Sequence, residues 1–173
     1  MNKFVFWFIT LIIVLFTVYM LPWGQNYIAN PITSGVAWVS AQIMHLFDPA
    51  VVSQGIMLMN PERNWAIQVV AGCNGMEAVI ILFASIFSFP ATFKQKLAGF
   101  VVGFFAIHSL NVVRIISLFY MGMWDKTWFD WFHLFIWQAL IILDALVVFL
   151  LWLRWIGKDK REAARIKKLP VGA

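Results

Sequence analysis

A single cysteine, Cys73, stands among 173 residues, so an internal disulfide and a thiolate-rich metal site are both excluded. The three histidines, His45, His108 and His133, lie too far apart in sequence to suggest a metal cluster, and no metal or other cofactor is expected. Charge is scarce as well. Only 12% of residues are Asp, Glu, Lys or Arg, against about 25% in an ordinary soluble domain. With 62% hydrophobic and 17% aromatic residues, the chain reads as an all-α integral membrane protein whose first partner is the lipid bilayer. It shows no internal repeat and no second domain, so residues 1–173 form one polytopic membrane domain, and nothing points to a nucleic-acid partner.

Apolar runs set the expected spans. Phe4 to Leu21 is long enough to cross a bilayer, and Tyr19-Met20-Leu21-Pro22-Trp23-Gly24 offers no small-x-small cleavage site, so it reads as an uncleaved first span. Asn30-Pro31 looks like an N-cap followed by proline at the first helical position. Ile32, Val36, Val39, Ile43 and Leu46 then recur at helical spacing until Asp48-Pro49, the pattern of an amphipathic helix lying on the outer surface. From Val51 to Val70, aliphatic residues alternate with polar ones around the turn signal Asn60-Pro61-Glu62-Arg63-Asn64, which predicts a small β-hairpin. Further spans are expected at 75–89, 97–120 and 132–155, making about four with 4–21. The second, ended by Pro90, reaches only about 22 Å at 1.5 Å per residue. Residues 157–173 form a basic tail, read as a helix on the membrane surface as far as Lys168.

Lysine and arginine set the orientation. With four spans and the amino terminus inside, Lys3, Lys94, Lys96, Arg154, Lys158, Lys160, Arg161, Arg165, Lys167 and Lys168 are cytoplasmic, whereas only Arg63 and Lys126 fall outside. Both termini are then cytoplasmic and the long 22–74 segment faces outward, as expected of a multi-pass protein of the cytoplasmic (inner) membrane.

Gly72-Cys73-Asn74-Gly75-Met76-Glu77-Ala78 stands where polar sequence gives way to an apolar helix. Asn74 as N-cap and Glu77 reaching back to its N–H make a capping box that starts the helix at Gly75. Cys73, just ahead of the first turn, then meets free N–H groups and the positive end of the helix dipole, which favour the reactive thiolate. The alternative is a small buried hydrophobe. Two further residues reach the same outer level: Arg114, about two turns from the outer end of the third span, and His133, in the first turn of the fourth. An intramembrane arginine is costly and is a functional suspect, although it could also anchor lipid phosphate. His133 could equally be an interfacial residue in the aromatic belt of Trp128, Phe129, Trp131 and Phe132.

The order Gly-Cys-Asn-Gly-x-Glu-Ala at a helix start, then Asn111-Val112-Val113-Arg114-Ile115, then a histidine opening the next span resembles the exosortase and archaeosortase family. The short length and the Cys-Asn-Gly form look most like exosortase H. The resemblance covers roughly Val51 to Leu143 and implies a polytopic cysteine transpeptidase acting outside the cytoplasmic membrane. Its partners would be exported proteins with a carboxy-terminal sorting signal: a short motif, a transmembrane helix and a basic cluster. It would make Cys73 the nucleophile, with Arg114 and His133 the other two essential residues. Many members are longer, so this chain would be a pared-down core.

The chemistry stands beside the resemblance. Acyl transfer needs a nucleophile, a proton carrier and a positive group for the developing oxyanion. Cys73, His133 and Arg114 have those capacities in turn, with the N–H groups of Asn74 and Gly75 as helpers. Asn111, one turn below Arg114, either holds it in place or bonds between helices. His108 lies about 9 Å deeper than Arg114 and Asp144 about 16 Å deeper than His133, and the two would form a buried clamp or a proton path. The second possibility gives the rival reading, a small proton- or ion-coupled membrane subunit in which Cys73 is incidental. A non-catalytic assembly factor is the third.

Overall fold

The computed structural model describes residues 3–166, with side chains described to residue 158. Helix α1 (Lys3–Met20) is followed by one helical turn, α2 (Pro22–Gly24), a π-helical turn (Gln25–Ala29) and α3 (Asn30–His45). A three-stranded sheet comes next, β1 (Val52–Gln54), β2 (Met57–Asn60) and β3 (Trp65–Gln68). The remainder is α4 (Met76–Ser88), α5 (Phe93–Trp124), α6 (Lys126–Trp131), a second π-helical turn (Phe132–Ile136) and α7 (Trp137–Ile166). Among the described residues three helices are long and apolar enough to cross a membrane, Lys3–Met20, Phe93–Trp124 and Lys126–Lys158. The chain is an all-α membrane protein carrying one small sheet.

Several boundaries differ from the sequence expectation, each for a local reason. The second expected span, α4, has 13 residues and rises only about 20 Å, short of a hydrocarbon core of about 30 Å. Helix α5 begins four residues before 97, because the Thr92 hydroxyl accepts from the Gln95 N–H while Gln95 Oε1 accepts from the Thr92 N–H, a capping box. Helix begins again at Lys126 rather than 132, because the Asp125 carboxylate accepts from the Thr127 and Trp128 N–H groups. Asn30 is not an N-cap. Pro22 takes the first helical position, and the chain stays helical through Asn30, with the Asn30 N–H donating to the Gln25 carbonyl. A proline inside a helix clashes with the carbonyl four residues back, and the wide turn just before Pro31 makes room for it. Helix α7 runs unbroken to Ile166, so this part of the basic tail extends the last span; residues 167–173 lie outside the described residues.

On α3 the members of the predicted apolar stripe divide between inside and outside. Its inward residues are Thr33, Val36, Ala37, Ser40, Ala41 and Met44, while Val39, Ile43 and Leu46 of the predicted apolar stripe are exposed. In a bilayer the large apolar side chains have no reason to turn inward, and small residues let helices approach. The same rule joins α5 to its neighbours: a Cβ on Gly99 would strike the Trp152 indole, and one on Gly103 would strike Leu82 and Val148. Trp152 Nε1 donates to the Gln95 carbonyl at 2.9 Å, pinning α7 to the first turn of α5.

The expected hairpin is a three-stranded antiparallel meander in the order β1-β2-β3. The Asn60–Asn64 signal forms the second turn, where the Asn60 side chain accepts from the Arg63 N–H and Asn64 adopts φ +49°. A first turn at Gly55-Ile56, with Gly55 at φ +58°, adds the third strand. Val51, Leu58 and Val69 of this region pack with Phe119 and Ile115 of α5 and with Met44 of α3. The sheet thereby rests on the end of the bundle where Cys73 emerges.

Candidate functional site

Between β3 and α4 the chain makes one irregular turn containing two glycines with positive φ, Gly72 at +88° and Gly75 at +79°. The second places Cys73 ahead of α4 and brings Gly75 against Asn111, where a Cβ would lie 3.3 Å from the Asn111 Cγ. The capping box expected here is replaced by a wider arrangement. Glu77 Oε1 accepts from the Gly72 N–H at 2.8 Å, not from Asn74, and Asn74 Oδ1 accepts from the Met76 N–H at 3.1 Å. Helix α4 therefore starts at Met76 with Gly75 as its N-cap. The extra turn is possible because both glycines adopt left-handed backbone without a Cβ penalty.

Asn74 is wholly buried. Its Nδ2 donates to the Tyr19 hydroxyl at 3.0 Å and to Thr33 Oγ1 at 2.9 Å, tying the turn to α1 and α3. Thr33 in turn donates to the Ala29 carbonyl at 2.6 Å. Neither Tyr19 nor Thr33 was marked by the sequence, since they lie 55 and 41 residues from Asn74 and carry no local signal. The N–H groups of Asn74 and Gly75 themselves donate to no acceptor among the described residues.

Around Cys73 the structure brings together the three residues that the sequence placed at one level. Arg114 Nη2 donates to Cys73 Sγ at 3.7 Å, and Nη1 donates to the Gly72 carbonyl at 3.4 Å. Arg114 is 1% exposed, which removes it from the bilayer surface and rules out a lipid-phosphate anchor. His133 approaches from the π-helical turn with Nε2 3.8 Å and Nδ1 3.9 Å from Cys73 Sγ. Its ring stacks on Phe129, centroids 5.5 Å apart and planes 9° from parallel, so α6 supplies its support. Burial pushes the Cys73 thiol above the ordinary cysteine range. The Arg114 guanidinium pulls it back down, Glu77 pushes it up, and the hydrogen bond with Val70 lowers it.

Asn111 is buried with neither side-chain atom hydrogen-bonded, so it does not hold Arg114. It lines a narrow crevice with Gly75, Arg114, Trp137 and Asp144. His108 lies elsewhere, in a cavity of about 320 Å³ between α3 and α5, with Phe104 packed 4.4 Å from its ring and no hydrogen bond to either nitrogen. His108 and Asp144 therefore form no clamp. Among the described residues no cluster of three or more His, Cys, Asp or Glu is placed to hold a metal ion.

Comparison with known proteins adds an independent line. No curated protein and no solved structure matches the chain. The family model described as transmembrane exosortase matches residues 4–153, a stretch that contains every helix packed around Cys73. With that match covering most of its length, the chain belongs to the transmembrane exosortase family.

Proposed function

We propose that this protein is a membrane-embedded cysteine transpeptidase or peptidase, acting on the outer face of the cytoplasmic membrane. Its substrates are exported proteins that end in a short motif, a transmembrane helix and a basic cluster. The observation that carries this reading is the thiol of Cys73 between the Arg114 guanidinium at 3.7 Å and the His133 imidazole at 3.8 Å, contributed by three separate elements. Membership of the transmembrane exosortase family supports the same chemistry.

In the proposed reaction His133 takes the thiol proton, and the Cys73 sulfur attacks the scissile carbonyl, forming a C–S bond. Negative charge collects on the carbonyl oxygen. Arg114 cannot lose its proton and meets that charge with a fixed fork of donors, joined by the free N–H groups of Asn74 and Gly75. The peptide C–N bond then breaks, the leaving amine takes the proton from His133, and a thioester remains. An acceptor amine or water gives its proton to His133, attacks the thioester and releases the Cys73 thiol. Each step uses a group already beside the sulfur.

The test is the ratio of full-length to processed reporter in cells. The reporter is a secreted protein fused to the carboxy-terminal sorting segment of a protein encoded beside this one, and variants are compared at matched levels. Serine is close to cysteine in size but far less ionised, so Cys73→Ser should accumulate normally and leave the reporter unprocessed. His133→Ala should process more slowly. Normal processing by Cys73→Ser overturns the nucleophile assignment.

A further inference from the structure

The strand that runs into the Cys73 turn, β3, has an open outer edge. β3 pairs with β2 alone, and the Val69 N–H donates to the Ile56 carbonyl at 2.9 Å, in the register that sets Leu58 against Ile67. In an antiparallel ladder hydrogen-bonded pairs alternate with non-bonded pairs. Trp65, Ile67 and Val69 therefore turn their N–H and C=O groups toward β2, while Ala66 and Gln68 turn theirs to the opposite edge. Both residues are exposed, and neither backbone bonds elsewhere among the described residues. Proteins usually blunt such an edge with charge or proline. The strand Trp65-Ala66-Ile67-Gln68 carries neither. Cys73 lies in the turn into which β3 runs, five residues after Gln68.

We propose that the β3 edge receives the substrate segment around the scissile bond as an added strand. Backbone hydrogen bonds to Ala66 and Gln68 hold the segment extended and present its carbonyl to Cys73. The inference rests on the peptidase reading above and names how its substrate is held. A row of unpaired backbone donors and acceptors is complementary to an extended polypeptide and to little else. The substrate must therefore be unfolded just before its membrane helix, and side chains at alternate positions face the same side of the sheet.

Ala66→Pro and Gln68→Pro each delete one outward N–H and no bond to β2, since proline is tolerated where an edge N–H points away from the sheet. Processing of the secreted reporter should fall at least tenfold in each, while Cys73 is alkylated by iodoacetamide at the parent rate. Parent-rate processing by both proline variants, with Cys73→Ser inactive, overturns the edge and leaves the peptidase reading intact. Normal processing by Cys73→Ser overturns both. Where a proline variant fails to accumulate, Ala66→Cys combined with Cys73→Ser is oxidised in the presence of reporters carrying single cysteines at successive positions before the hydrophobic helix. Disulfides at alternate positions support the added strand, and none, or equal yields at every position, overturn it.

Discussion

Arg114 reaches back 41 residues to donate to the Cys73 sulfur at 3.7 Å, and the same guanidinium donates to the carbonyl of Gly72 at 3.4 Å. The planar fork holds the sulfur and the neighbouring backbone oxygen through two separate nitrogens in fixed geometry. Arg114→Lys keeps the charge but offers a single flexible ammonium. Processing of the reporter is expected to fall by about a hundredfold or more, the scale seen when a donor to a developing oxyanion is lost. Near-normal processing by a well-accumulated Arg114→Lys protein would leave the arginine a packing role only.

The same charge sets a pH dependence. Burial raises the Cys73 thiol, Arg114 lowers it and Glu77 raises it. Alkylation of Cys73 should therefore accelerate as pH rises from neutral, because the thiolate is the reacting form and is scarcer at neutral pH than on an ordinary cysteine. Arg114→Gln removes the cation and should move the rate profile to higher pH. Glu77→Gln removes the anion, keeps an acceptor for the Gly72 N–H, and should move it to lower pH. Iodoacetamide rates across a pH series measure all three proteins, and shifts of the same sign in both variants would show that the charges do not govern the thiol.

Asn74 makes a separate prediction about stability. Its wholly buried amide joins α1, α3 and the start of α4 through the Tyr19 hydroxyl, Thr33 Oγ1 and the Met76 N–H. Asn74→Ala leaves buried polar groups unpaired, at about 1–3 kcal/mol for each group left unsatisfied. A lower melting temperature in detergent and lower abundance are expected, along with slower alkylation or processing per folded molecule as the turn loosens. An unchanged melting temperature would mean that water or a neighbour replaces the amide.

What could be read from the sequence follows from how local its cause is. Cys73, Arg114 and His133 were legible as one level, because helix rise converts residue number into depth. Their contact was not, because depth leaves open which way each side chain turns. On α3 the apolar stripe was legible from spacing but its burial was not: Val36 is buried while Val39, Ile43 and Leu46 are exposed, because lipid removes the penalty for leaving large apolar side chains outside. The capping box of Thr92 and Gln95 has a local cause, two residues of one helical turn, and so is written in the sequence itself. Tyr19 and Thr33 were beyond reach, since only tertiary packing brings them to Asn74. His108 and Asp144 looked like partners by depth and proved to line different cavities.

Orientation gives the remaining prediction. Ten basic residues fall on one side of the expected membrane and two, Arg63 and Lys126, on the other, the side that carries Cys73. The proposed chemistry needs the thiol on that outer side, where an exported substrate is found. In intact cells a membrane-impermeant maleimide should label Cys73, and Cys73→Ser should abolish the signal. The thiol is half-buried beside Arg114 and His133, so slow labelling alone is ambiguous, and a small permeant maleimide serves as the reference for reactivity. Labelling by the impermeant reagent only after permeabilisation would put the site on the cytoplasmic side. An exported substrate could not then meet Cys73 after translocation, and the proposed reaction would lose its location even though the geometry of the three residues was unchanged.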